Sequence, residues 1–275
     1  MDLLSGFYRA AVAGELFVPV APGTDTLRAA IAALPATPAV VYHLVLSAGT
    51  YNEIQLTPKV NISIEGVGPT TVIVTDGTRT DVDPVSGQRY VDMAEADKHG
   101  ISGHTGFSVS NLTWRANDVK YVIHDDHNRR ASLVYVHDAV LEIDNTFVVG
   151  TGGSDYQQSI YERVSFTTTG SHGMFWHNRV TETSPSSLTM ANCTLTGTGV
   201  LYVSEQGPAS GVRNPVVVTN CVTDDVTVDH GIYLNASSDM LPYAIMITQD
   251  GGTMPAFGFN ATTRPDAAAH YTYVP

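Results

Sequence analysis

The chain has 275 residues, 43% apolar and only 15% charged, a balance that supplies a large core but little for long solvated helices and favours one all-β domain. With 14 Lys and Arg against 27 Asp and Glu, its formal net charge of −13 excludes a phosphate-binding surface for nucleic acid or an anionic membrane. No apolar run reaches bilayer length and Met1-Asp2-Leu3-Leu4-Ser5-Gly6 lacks a basic n-region, so a soluble chain without a Sec signal is expected.

Residues 1–22 read as a mixed lead and attachment segment. Thr24-Asp25-Thr26 then offers an N-cap to a short helix over Leu27 to Leu34, ended by Pro35. Val40 to Leu46 is a β-rich run closed by Gly49-Thr50-Tyr51-Asn52-Glu53. Val60 to Gly66 alternates with strand period, and Thr71 to Val74 follows at once. This order suits a helix plugging one open end of a stack of strands.

From residue 105 the chain repeats itself. One column of similar segments is anchored at Asn111, Asn145, Arg163, Asn192 and Asn220, with unequal steps of 34, 18, 29 and 28 residues. Asn tolerates the left-handed backbone that a tight bend between two sheets demands, and its amide can bond to the Asn of the next turn. Positive φ is therefore expected at the four Asn anchors, with Arg163 as the exception. A second column comprises Val122-Ile123-His124-Asp125, Phe175-Trp176-His177-Asn178, Tyr202-Val203-Ser204-Glu205 and Tyr233-Leu234-Asn235-Ala236, with Val148-Val149-Gly150 supplying the strand of the short turn. Two columns imply parallel sheets sharing one core, with a spacing of about 4.8 Å between equivalent strands. The expected fold is an all-β, single-stranded right-handed parallel β-helix with a short N-terminal capping helix. Residues 23–240 form the β-helix, and residues 241–275 a last rung and a tail. Cys193 and Cys221, the only cysteines, read as two small buried core residues.

With Ile123, Trp176, Val203 and Leu234 pointing inward, the second column presents outward aromatics, Phe175, Tyr202 and Tyr233, flanked by His124, His177, Ser204 and Asn235. Aromatic faces stack on pyranose CH groups while imidazoles and amides take hydroxyls, so His124, Phe175, His177, Asn178, Tyr202, Tyr233 and Asn235 are candidate substrate-binding residues. The neighbouring acids Asp125, Asp126 and Glu205 are the candidate catalytic residues, since glycoside hydrolysis uses paired carboxylates. Solvated turn acids are the plainer account of the same three. A His124, His127, His177 and Asp126 cluster has metal-ligand chemistry but equally that of a local hydrogen-bond cluster, so no metal and no cofactor is assigned. The aromatic stripe can instead be covered by a neighbouring subunit or by the loop 77–100.

Leu27 to Leu34, Gly49-Thr50-Tyr51-Asn52-Glu53 and Ile62-Ser63-Ile64-Glu65-Gly66-Val67-Gly68-Pro69-Thr70-Thr71-Val72-Ile73 resemble the opening of the pectate-lyase-like superfamily, especially pectin methylesterases and the β-helical tailspikes and appendages of bacteriophages. Tyr121 to Asp126, His172 to Asn178 and the Asn-Cys-Thr-type segments are more similar to the phage proteins. The Gln-Ala, Gln-Asp-Thr and Asp-Phe-Ile-Phe-Gly-type segments of the esterases are absent, as is the ordered Asp and Arg set of a calcium-dependent pectate lyase. The resemblance thus implies a bacteriophage tail protein located in the virion and made in the host cytoplasm. It implies a homotrimer with structural and host-glycan attachment roles, its partners being other tail or baseplate proteins and a host surface polysaccharide. A polysaccharide depolymerase, hydrolase or lyase, is the alternative, and a carbohydrate esterase a weaker one.

Overall fold

A computed structural model describes residues 14–35, 40–54, 56, 61–79, 105–117, 121–125, 132–143, 147–152, 158–168, 175–178, 187–197, 202–205, 213–224, 232–234, 244–253 and 271–274. These residues are mostly strand, and every pairing among them is parallel. The strands form one 16-stranded curled sheet and a separate five-stranded sheet, an arrangement consistent with a parallel β-helix.

The large sheet carries two ladders. The first runs through Gly14–Val20, Val40–Leu46, Asn61–Glu65, Thr105–Ser110, the leading halves of Ser132–Ile143 and Gln158–Thr168, then Ser187–Ala191, Arg213–Thr219, Ala244–Asp250 and Tyr271–Val274. The second runs through Gly23–Thr24, Gly49–Glu53, Thr71–Asp76, Thr113–Asn117, the trailing halves of the same two long strands, Thr194–Gly197 and Val222–Asp224. Gly49–Glu53, expected to close a strand, is thus itself a strand. Both ends of the chain also join the first ladder: Gly14–Val20 lies within the lead segment, and Ala244–Asp250 and Tyr271–Val274 lie beyond residue 240.

The core sits between the ladders in stacked columns of apolar side chains. Leu44, Ile64, Val109, Val136, Tyr161, Met190 and Val218 are in register and buried on the first ladder. Tyr51, Ile73, Trp114, Leu141, Phe166 and Leu195 form the facing column on the second. Alternation with period 2 puts these residues on one face and leaves their neighbours outward. Trp114 brings a polar handle into the core, and its Nε1 donates to Thr75 Oγ1 at 2.9 Å.

The bend between the ladders is where the expected repeat needs correction. Positive φ occurs at Asn111, Asp138, Arg163, Asn192 and Asn220, and Gly251 continues the series in register with Asn220. Asn145 lies outside the described residues. In that repeat Asp138, a type that also tolerates the left-handed region, makes a bend in register with those of the neighbouring rows. Arg163 is left-handed at φ 54 as well, rather than an exception. Among the described residues the left-handed bends therefore run 111, 138, 163, 192 and 220, nearly evenly spaced.

The helix Thr26–Ala33 buries Leu27 and Ile31 against the end of the stack. Its expected side-chain cap is not the one used. Asp25 is left-handed and makes no side-chain cap bond. Instead the buried Glu53, from the adjoining row, accepts from Leu27 N at 2.9 Å and Arg28 N at 3.1 Å. A carboxylate on the free amides at the helix start complements both their hydrogen bonding and the helix dipole. Among the described residues no helix is long and apolar enough to cross a membrane.

Candidate functional site

The five-stranded sheet carries most of the residues singled out from the sequence. Its order is Ile232–Leu234, Tyr202–Glu205, Phe175–Asn178, Phe147–Gly152 and Tyr121–Asp125, so Phe147–Gly152 does supply the strand of the short turn. His124 pairs with Gly150, which pairs with Phe175, which pairs with Tyr202. His177, Ser204 and Tyr233 form another row, and Asn178, Glu205 and Leu234 the next. His124, His177, Ser204 and Asn235 were expected as one ridge. His177 and Ser204 do share a row, but His124 stands two positions earlier in register and Asn235 lies outside the described residues. The first and last strands thus stand two residues out of the expected register, a shift that alternation hides because it preserves the face.

Asp125 pairs with Thr151 and stands in the row of Trp176, Val203 and Ile232, whereas Glu205 pairs with Asn178. Three strand steps separate Asp125 from Glu205, about 14 Å at the usual spacing of parallel strands. Asp126 and His127 lie outside the described residues.

A second polar grouping, which the sequence reading missed, lies on the outer face of the first ladder and at its bend. In Ser132–Ile143, Val134 and Val136 point into the core, so Tyr135 and His137 alternate outward. Their rings stack with centroids 4.6 Å apart. One row on, Ile160 pairs with Tyr135 and Glu162 with His137. Tyr135 donates its hydroxyl to Glu162 Oε2 at 2.8 Å, and His137 Nδ1 lies 2.8 Å from Asp138 Oδ2. Arg163 grips Asp138 with both arms, Nε to Oδ1 at 2.6 Å and a terminal nitrogen to Oδ2 at 2.8 Å, and also donates to Glu162. On the second ladder Arg115 donates to Glu142 of the next row.

Electrostatics follow from this geometry. Hydrogen bonding to Arg163, opposed by partial burial and helped by His137, holds the Asp138 carboxyl well below the usual carboxylate range. The same pairing pushes the Arg163 guanidinium further up. Asp138 is thus a fixed anion, and Glu162 accepts from both Tyr135 and Arg163. The rows Tyr135-Val136-His137-Asp138 and Tyr161-Glu162-Arg163 carry a usable sequence signal: a charged residue at each bend, one repeat apart, in place of Asn.

Toward the helix end of the same face, His43 Nδ1 lies 2.6 Å from Glu65 Oε1, Ser63 donates to that oxygen at 2.8 Å, and Phe17 stacks on the His43 ring with centroids 4.6 Å apart. Ser63 and Ser110, outward by alternation, are nevertheless buried. Among the described residues no group of three or more His, Cys, Asp and Glu has the geometry of a metal site. No family model, curated protein or solved structure matches the chain.

Proposed function

We propose that the curled parallel sheets close into a right-handed β-helix whose outer wall binds carbohydrate without cleaving it, as an attachment component of the kind carried on bacteriophage tails. Handedness follows from the strong preference of parallel crossovers for the right-handed sense. Closure is supported by a left-handed residue at the same bend of successive rows, which turns the chain from one ladder to the next.

The observation that carries the binding reading is the outer cluster of Tyr135, His137, Asp138, Glu162 and Arg163. Its carboxylates are engaged by Arg163, with Tyr135 or His137 beside them, so they are held in ion pairs rather than as the free carboxyl pair that glycoside hydrolysis uses. What it does offer is an aromatic pair beside fixed donors and acceptors, the chemistry that holds a sugar ring. Rows about 4.8 Å apart also lie close to the length of one pyranose unit, so a chain of sugars can lie along the stack. The candidate stripe of His124, Phe175, His177, Asn178, Tyr202, Tyr233 and Asn235 belongs to the same proposal for the five-stranded sheet.

The bacteriophage setting, the virion location, the homotrimer and contacts with other tail or baseplate proteins rest on the resemblance of residues 24–240 to β-helical tail proteins. The alternative, a depolymerase using Asp125, Asp126 and Glu205, has no geometric support from the separation of Asp125 and Glu205 by three strands.

The test pairs a glycan array with a reducing-sugar release assay on the polysaccharides bound. Retention without release, weakened at least tenfold by Tyr135→Ala or His137→Ala, is the expected result. Sustained release of reducing ends would overturn the non-catalytic reading, and silence across the array would remove carbohydrate as the ligand.

A further inference from the structure

Cys193 and Cys221 take no part in the surface proposed above, yet their placement is specific. Each follows a left-handed Asn directly, Asn192 and Asn220, in adjoining rows. Thr194 pairs with Val222, Val222 N donates to Cys193 O at 2.9 Å, and Asn192 N donates to Thr219 O at 2.9 Å. The two cysteines are therefore in register across one strand step. Leu112, Ala139 and Val164 hold the same place after the bend in earlier rows, so an ordinary apolar side chain fills this column elsewhere.

Both thiols are buried, Cys193 at 1% and Cys221 at 0% exposure, but each adjoins an exposed Asn at the bend. Each thiol donates to backbone carbonyls, Cys193 to Tyr161 at 3.5 Å and to Ala191 at 3.4 Å, and Cys221 to Thr219 at 3.5 Å. The partner sulfur, and then burial, push the Cys193 thiol up, while hydrogen bonding from Cys193 brings Cys221 down. In-register parallel strands put the Cα atoms about 4.8 Å apart, within the range of about 4.4 to 6.8 Å that a disulfide spans.

We propose that Cys193 and Cys221 form an axial disulfide site, a pair that a small peroxide closes into a covalent staple between adjoining rows. The Cys221 thiolate attacks one peroxide oxygen and becomes a sulfenic acid, and the hydroxide released takes up the thiol proton as water. Cys193 then attacks the Cys221 sulfur, the S–S bond forms, the S–O bond breaks, and the second oxygen leaves as water with the remaining thiol proton. Two electrons pass from the sulfurs to the peroxide. The ring so closed encloses residues 193–221, one repeat that contains the strand Tyr202–Glu205, so the staple would fix part of the five-stranded sheet as well.

The experiment exposes the full chain to hydrogen peroxide, alkylates the remaining thiols in denaturant, and records intact mass, a non-reducing peptide map and the melting temperature. The expected result is a monomeric mass loss of two hydrogens, a peptide joining Cys193 to Cys221, and a melting temperature raised by roughly 5 to 10 °C and restored by dithiothreitol. Two alkylated cysteines, oxygen added without a cross-link, a link between chains, or a lowered melting temperature would each overturn the proposal. The decisive readout is on the natural chain, so it does not depend on whether a cysteine variant folds.

Discussion

Asp138 and Arg163 illustrate how much a single side chain can change at one position of a repeat. At three other bends the left-handed residue is Asn, whereas here two consecutive rows place opposite charges that meet in a two-armed pair. An Asp held below its unfolded range adds stability that is fully present above that range and lost as pH falls through the folded value. Asp138→Asn, which keeps the left-handed tolerance, should therefore flatten the acid side of a plot of melting temperature against pH. At neutral pH the pair is exposed enough that the loss stays below about 1 kcal/mol. Ser159 is the opposite case: it lies in the inward column between Val134 and Leu188, is 1% exposed, and its hydroxyl finds no partner among the described residues. Ser159→Ala should raise stability by about 1 kcal/mol in denaturant unfolding, because it removes a buried polar group that pays its desolvation unreturned.

At the scale of the element, the helix Thr26–Ala33 depends on a residue of another strand. Leu27 and Ile31 give it an apolar stripe, but two of its free amides are met by Glu53, 26 positions further along from Leu27. Glu53→Ala should cost about 1 to 2 kcal/mol, read by chemical denaturation. Burial pushes the Glu53 carboxyl above its ordinary value despite the lowering effect of its two amide bonds. A carboxyl raised on folding adds stability that is present below the unfolded value and lost as pH rises through the folded one. Natural protein should therefore gain on Glu53→Gln as pH is lowered from neutral, the reverse of the trend at Asp138. The strand elements were more legible than the cap. Val40–Leu46 and Thr71–Asp76 follow from β-branched runs, and Asn192 and Asn220 from the bend they serve. Gly49–Glu53 was misread because a leading Gly and a terminal Glu resemble a turn, while Tyr51 is in fact buried in the core.

For the molecule as a whole, stability comes from neighbouring rows packing on one another. Trp114 sits fully buried near the middle of the second ladder's inner column, between Ile73 and Leu141. Trp114→Ala should cost about 3 to 5 kcal/mol and lower the melting temperature of the entire stack rather than of one end, measured by calorimetry. The primary sequence by itself determined the parallel strand-rich architecture, the positions of most bends and the small helix, because periodicity and left-handed tolerance are local properties of a few adjacent residues. It did not determine which rows face each other in the five-stranded sheet, that Asp138 makes a bend, that Glu53 caps the helix, or that Tyr135, His137, Glu162 and Arg163 meet on one outer face. Those were decided by tertiary structure alone, because each depends on the register between segments about one repeat apart, and the length of the loops between them hides that register from any local pattern.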